Sequence, residues 1–295
     1  MSLTTTVQDW MRDVGDRENS AVIARAHVAA ETSTDVDRIC ATISHDVYFG
    51  VPVRTRDGNE LRSGSVLTTY DQVRGYYEGR AGSYVVLESA QLKSISTEWY
   101  LFNETAATLR GTGMVNGIDA SGKEWIVNSA VIFPTAPDGI RGEICITRYP
   151  MDDIVAETVR VPAPASGRQT WMPLGEMQLG SLLDRFILAV RDGQWDQVAA
   201  DLSDRHALAV RLDDVKGAQQ VPTATDRAGA LQALQGLFDS AADLTLLNRI
   251  ASEWYVFAEY LVRLANGGRR RLALVHPVED GKLTGTFGYG RDEQD

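Results

Sequence analysis

At 295 residues, 44% hydrophobic and 23% charged, the chain has the composition of a globular protein and the length of two ordinary domains. Its formal net charge of −11, with one basic cluster at Arg269-Arg270-Arg271 beside a Gly-rich turn, is the wrong surface for phosphate, so no nucleic-acid partner is expected. No run of about 18 apolar residues offers a membrane-spanning helix. The first twenty residues carry Asp9, Arg12, Asp13, Asp16, Arg17 and Glu18 where a secretory signal needs an apolar core, so a cytoplasmic location and no membrane partner are the expectation.

In chain order, Ala21 to Glu31 spaces its apolar residues as a helix does, and Asp35 to Ser44 reads as a second helix. Val47 to Pro52 is a short strand stopped by proline. Tyr70 to Gly79 reads as a third helix, ended by Gly79 and Gly82. Three strand-like runs follow, Tyr84 to Ile95, Glu98 to Gly111 and Glu124 to Phe133. Pro137-Asp138-Gly139 signals a turn, and Ile140 to Tyr149 is a last strand. The segment 161–174 holds Pro162, Pro164 and Pro173 with no apolar period, and reads as an extended linker between a domain at 1–160 and a second at 175–295. Beyond it, Leu182 to Val190, Trp195 to Leu202, Ala207 to Leu212, Ala228 to Phe238 and three further strands repeat the plan. Helices first and antiparallel strands afterwards predict an α+β fold. Cys40 and Cys145 are too few for a disulfide framework and read as small buried residues.

The repetition extends to residues. Glu98-Trp99-Tyr100-Leu101-Phe102-Asn103-Glu104 recurs as Glu253-Trp254-Tyr255-Val256-Phe257-Ala258-Glu259, and Asp35-Val36-Asp37 sits where Gln194-Trp195-Asp196 sits. A tandem duplication accounts for both.

The run His27-Val28-Ala29-Ala30-Glu31 before Asp35-Val36-Asp37, the helix Val73-Arg74-Gly75-Tyr76-Tyr77 and the strand opening Glu98-Trp99-Tyr100 resemble the SnoaL-like and ketosteroid-isomerase-like domains of the nuclear transport factor 2-like superfamily. The resemblance covers nearly all of both halves and is one of order and spacing. It implies two tandem cone-shaped domains, each with helices packed on a strongly curved, mainly antiparallel sheet around an apolar pocket. It also implies the paired sheets of a dimer supplied here by one chain, an intrachain pseudo-dimer with homo-oligomers open to it. The superfamily includes isomerases, dehydratases, cyclases and epoxide hydrolases as well as binding proteins.

Carried over position by position, the resemblance puts His27 where such enzymes have a first-helix tyrosine donor, with Tyr77 behind it as its support. These two are the candidate catalytic pair, since imidazole can donate, accept or shuttle a proton near neutral pH. Glu31, one helical turn on, either orients His27 and anchors a ligand or forms a structural pair with it. Trp99, Asn103 and Ser129 are assigned to the pocket face as ligand contacts, with Asn103 either a polar handle or a satisfied core amide. Val51 occupies the place of the family's aspartate base and cannot accept a proton. In the second half Phe186, Phe238, Val210 and Ala258 replace His27, Tyr77, the base and Asn103, so that copy reads as a degenerate packing partner, and His206 and His276 read as structural residues near strand edges. No metal-ligand spacing, phosphate loop or nucleophile elbow occurs, and neither cofactor nor metal is expected. The expected activity is a cofactor-free isomerase, lyase or cyclase acting on an apolar oxygenated small molecule of polyketide, steroid or terpenoid kind. A non-catalytic small-molecule-binding protein and a protein-interaction module are the alternatives.

Overall fold

The computed structural model describes residues 3–55, 58–61, 65–115, 117–148, 174–213, 219–220, 222–239 and 241–293. The chain divides into two compact units, residues 1–51 with 64–163 and residues 52–63 with 164–295. Apart from Leu174, the segment 161–174 lies outside the described residues.

The first unit opens with α1 (Leu3–Glu31), which starts well before the predicted Ala21 because no proline interrupts residues 3–20. Its buried face is Ser20, Ala21, Ala24, His27 and Ala30 at helical spacing, whereas Val22 is 64% exposed. Asp35 caps α2 (Val36–Cys40) by accepting from the Arg38 amide. The predicted second helix ends early, because Ile43 is taken into β1 (Ile43–Gly50) by pairing with Ile140. The chain then forms a separate two-stranded ladder, β2 (Val53–Thr55) and β3 (Gly58–Glu60), and returns through β4 (Val66–Leu67). A capping box between Thr69 and Gln72 starts α3 (Tyr70–Ala81). That helix runs through Gly79 to Gly82, since one glycine only weakens a helix by about 1 kcal/mol. The long strands are β5 (Tyr84–Ser96), β6 (Tyr100–Gly111), β9 (Glu124–Ala136) and β10 (Gly139–Arg148), with the small ladder β7 (Met114–Val115) and β8 (Ile118–Asp119) between β6 and β9.

The second unit repeats this as α4 (Leu174–Arg191), α5 (Trp195–Asp201), β11 (Leu202–Asp213), β12 (Gln219–Gln220), β13 (Thr223–Ala224), α6 (Arg227–Leu237), β14 (Ala241–Ala251), β15 (Tyr255–Leu264), β16 (Arg269–Glu279) and β17 (Lys282–Glu293). Four strands, not three, follow α6. The strand orders are β4-β1-β10-β9-β6-β5 and β12-β11-β17-β16-β15-β14, with β13 also on β11. In both sheets the first long strand is parallel to the last, β1 to β10 and β11 to β17, and the long strands otherwise pair antiparallel. Both first strands slip register at the same place, between Ile43 and Tyr48 and between Leu202 and Ala207; such bulges bend a strand. The Trp-Tyr repeat makes the same contacts in both units. Trp99 and Trp254 carbonyls accept from Thr135 and Val278 amides at 2.9 Å, and each indole stands edge-on to the next tyrosine at 4.9 and 4.8 Å. Tyr100, Phe102, Tyr255 and Phe257, which alternate to the opposite face, are all fully buried. The molecule is thus an α+β protein built from one plan used twice.

The copies differ in what fills the sheet face under the helices. In the first unit α1 crosses β6, β9 and β10. Register places side chains on that face in rows: Leu101 with Phe133, Asn103 with Val131 and Cys145, Thr105 with Ser129 and Thr147, Ala107 with Val127, Leu109 with Trp125. The matching rows of the second unit are Val256 with His276, Ala258 with Leu274 and Gly288, Tyr260 with Leu272 and Gly290. At Gly288 the neighbouring strand and a leucine both close in: a Cβ there would lie 2.0 Å from the Ala273 backbone carbonyl oxygen and 2.8 Å from Leu274 Cδ2. We therefore expect Gly288→Ala to lower unfolding free energy by about 1–3 kcal/mol through overpacking. Cys145→Ala, at the corresponding place in the first unit, should cost less than about 1 kcal/mol. Equal losses in denaturant titrations of the two variants would contradict this close approach at Gly288.

Candidate functional site

The first-unit site is built where α1 meets α3 and β10. Helical spacing turns His27 inward with Ala24 and Ala30, and Tyr77 inward one turn after Val73; both are buried, His27 completely. A polar group so placed needs partners. His27 Nδ1 lies 2.7 Å from Thr42 Oγ1, and Nε2 lies 3.1 Å from Tyr77 Oη. The Thr42 hydroxyl gives its own proton to the Ile39 carbonyl at 2.6 Å, so Thr42 Oγ1 must accept and His27 Nδ1 must carry a proton. Tyr77 in turn donates to Glu143 Oε2 at 3.0 Å. Glu143 and Glu31 each bring a carboxylate oxygen to 3.9 Å from His27 Nε2. Arg80, on α3 beyond Tyr77, pairs with Glu31 Oε1 and lies over the rings of Tyr77 and Tyr84 at 5.5 and 5.6 Å.

Burial, the largest influence on Glu31, favours its neutral form, but Arg80 and His27 together outweigh it and hold the carboxyl below the usual range. Burial, reinforced by Glu143 and Glu31, pushes the Tyr77 hydroxyl well above its ordinary value, so it stays protonated. Burial and the same two carboxylates keep Cys145 a thiol. His27, Glu31 and Glu143 bring their ligand atoms within 4.8 Å of one another. The Tyr77 hydroxyl is bonded between two of these groups and Arg80 occupies the third, so they form a hydrogen-bonded proton site and not an open cation cage.

Among the residues proposed from sequence, Glu31 and Tyr77 line a pocket closed by Arg80, Tyr84 and Val86, with His27 directly behind Tyr77. Asn103 and Ser129 lie on the same sheet face, in adjacent rows between the apolar cluster around Leu101 and Phe133 and that around Leu109 and Trp125. Asn103 is 4% exposed and, among the described residues, its Oδ1 has no hydrogen-bond partner; the indole nitrogen of Trp125 is in the same condition on the same face. Thr105, Ser129, Cys145 and Thr147 are half-buried, so this belt is open where its counterpart in the second unit is packed. Trp99 is buried at the start of β6, outside the lining of that pocket. Val51 sits just past β1, its amide on the Ser65 carbonyl at 2.7 Å. The residues that sequence reasoning missed are Glu143, Arg80 and Thr42. A signal for Glu143 existed, a carboxylate two residues from Cys145 inside an apolar strand.

In the second unit Phe186 stands where His27 stands, but the imidazole reappears across the interior. His27 packs on Phe133 at 5.9 Å, and Phe186 packs on His276, the register equivalent of Phe133, at 5.5 Å. His206 and His276 are fully buried interior residues, not edge residues, because the bulge in β11 turns His206 inward and the row pairing does the same for His276. Tyr260 is bonded to His276 Nε2 at 3.4 Å, Thr286 lies 3.0 Å from both His276 Nδ1 and His206 Nε2, and His206 Nδ1 lies 2.8 Å from the Leu283 carbonyl. With both histidines neutral, every proton in this chain meets one acceptor. Tyr77 has its place taken by Leu234, each eight residues beyond its helix N-cap, while Phe238 is the C-cap of α6.

Two outcomes follow from these contacts. An unbonded amide oxygen in a core costs about 1–3 kcal/mol, so Asn103→Leu should raise thermal stability by about 1 kcal/mol; a loss would show that the fold satisfies the amide. Burial, the first cause for both, lowers His206 to about 4 and His276 to about 3, from an ordinary 6.5. The unfolded chain therefore takes up protons first. The stability these two neutral histidines contribute is full above pH 6.5 and falls as pH drops from 6.5 toward 4, by about 1.4 kcal/mol per unit for each histidine. His276→Phe should remove about half of that slope in denaturant midpoints measured between pH 6.5 and 4.5.

No family model and no curated protein matches the sequence. Solved structures do. A protein from Xanthomonas campestris, assigned without proof of activity as a polyketide cyclase, is 14% identical over 48% of this chain and 98% of its own, with a TM-score of 0.37. One from Kribbella flavida, assigned in the same way as a ketosteroid isomerase, is 16% identical over 41% of this chain and 82% of its own, with a TM-score of 0.30. An NTF-2-like protein of unknown function from Burkholderia xenovorans is 15% identical over 41% and 88%, with a TM-score of 0.32. Each match spans less than half of this chain and most of the other.

Proposed function

We propose that the first unit is a cofactor-free isomerase, lyase or cyclase working by acid–base chemistry on an apolar, oxygenated small molecule of polyketide, steroid or terpenoid kind. One observation supports this most directly: two copies of one frame are filled oppositely. The second is packed with leucines and its polar chain is complete. The first keeps an open belt with an unbonded Asn103 oxygen beside a buried histidine, tyrosine and carboxylate. In this reading Asn103, Ser129 and Glu31 position the ligand, Trp99 is a core residue, and His27 with Tyr77 manages the ligand's proton. Val51 leaves the expected base position without a carboxylate, and Glu143 supplies one from β10 instead. The same substitution at Val51 favours a second reading, a binding protein for such molecules that performs no reaction.

Exchange of the α-hydrogens of 2-tetralone in deuterium oxide, followed by proton NMR, tests the enzymatic reading. The protein should accelerate exchange over buffer, His27→Ala should lower the rate by about 10²-fold or more, and Phe186→Leu should leave it nearly unchanged. Saturable binding of 2-naphthol with no exchange would point to the binding protein. Neither binding nor exchange, across neutral polycyclic ketones and phenols, would overturn both.

A further inference from the structure

Proton counting in the first unit gives a result that its twin does not. His27 Nδ1 is committed to Thr42, so Nε2 must do one of two things opposite Tyr77 Oη at 3.1 Å. Tyr77 owns one proton, and two groups require it: Glu143 Oε2 at 3.0 Å and, if bare, His27 Nε2. With an ionised Glu143 and a neutral His27, one of these two close contacts would be lone pair against lone pair in a buried site. Satisfying both takes one more proton. It rests either on His27 Nε2, with Tyr77 donating to Glu143, or on Glu143, with Tyr77 donating to His27.

The charge count agrees. Glu31 is balanced by Arg80, which leaves Glu143, only 6% exposed, as an uncompensated buried carboxylate. The other titratable groups facing it, Tyr76 and Tyr77 on α3, Tyr84 on β5 and Cys145 on β10, are held in their neutral forms by burial. An added proton is the charge that balances it. The polar chain of the second unit, with Thr286 at the register position of Glu143, closes with neutral groups and takes none.

We propose that Glu143, Tyr77 and His27 hold one shared proton at neutral pH, and that Glu143 is the end of this relay that exchanges it with a bound ligand. His27 is fully enclosed with both nitrogens bonded, so it is a positioning residue and proton reserve. Among the described residues Glu143 makes its one hydrogen bond through Oε2, which leaves Oε1 for a ligand oxygen or carbon acid on the face it shares with Cys145. When the His27 Nε2 proton moves to Tyr77 Oη, the tyrosine's own proton moves to Glu143 Oε2; two O–H or N–H bonds break, two O–H bonds form, and the site's net charge is unchanged. The ligand-exchange role rests on the enzymatic reading above; the shared proton does not.

The full chain is unfolded in guanidinium at pH 7.5 in weakly buffered solution with a pH indicator, and nitrogen-15 NMR follows His27 in the native state. Unfolding frees the shared proton, because separate Glu and His side chains hold almost none at that pH. Glu143→Gln presents fixed amide protons to Tyr77. It should release about one proton fewer than wild type and leave His27 Nε2 unprotonated with Nδ1–H intact. His27→Gln should also release about one proton fewer, which covers the case that Glu143→Gln folds poorly, and His206→Gln in the second unit should match wild type. Proton release and a His27 Nε2 signal identical in wild type and Glu143→Gln would overturn the shared proton. In the exchange reaction of 2-tetralone, Glu143→Gln should be at least about 10²-fold slower, and an undiminished rate would remove Glu143 from the ligand end. A wild-type protein that shows the proton but no exchange refutes the enzymatic reading alone.

Discussion

The first unit depends on the requirement that a histidine sealed from water be hydrogen-bonded at both ring nitrogens. His27 meets it with two hydroxyls, and each hydroxyl transmits a constraint further. Thr42, already donating to Ile39, fixes which nitrogen bears a proton. Tyr77 passes the other contact to Glu143, and the carboxylates of Glu143 and Glu31 then require Arg80 and a proton as counter-charges. Four elements, α1, the α2–β1 corner, α3 and β10, are tied together by this one chain. Its members act as a unit, and single replacements should be strongly non-additive.

The duplicated frame separates what the fold needs from what a site needs. Both copies keep the strand order, the parallel first and last strands, the bulge and the Trp-Tyr corner, all of which are backbone geometry. The second copy buries Tyr260 and Leu272 where the first has Thr105 and Ser129, at roughly 2 kcal/mol for each buried side chain. The first gives up that burial at Thr105 and Ser129, and leaves the Asn103 amide oxygen unbonded.

The swap between His27–Phe133 and Phe186–His276 shows how loosely a residue type is bound to its position. The interior accepts one imidazole against one phenyl ring from either direction, since the pair fills the same volume. Its chemistry differs entirely. In the second unit the imidazole meets Thr286 and Tyr260 and stays neutral; in the first it meets a tyrosine that leads to a carboxylate. The partner residue decides the role.

The amino-acid sequence by itself determined the α+β class, the duplication and the inward setting of His27, while Tyr77 as its partner was what the family resemblance implied. The first three follow from local periodicity, caps, turn residues and a repeated Trp-Tyr segment, which are properties of neighbouring positions. It located α3 and the long strands within a few residues, and it misjudged α1 and the end of α2, where continuity of the helix and the pairing of Ile43 with Ile140 decide the bounds. Glu143 lies 66 residues from Tyr77 along the chain, and Thr42 reaches His27 across a helix-to-strand corner. Neither contact has a local signature. Likewise His206 and His276 become interior only through the β11 bulge and the register of β16 on β15. A strand's pattern gives its alternation but not which partner it meets, so the membership of the proton chain, and the charge it must carry, belongs to the tertiary structure.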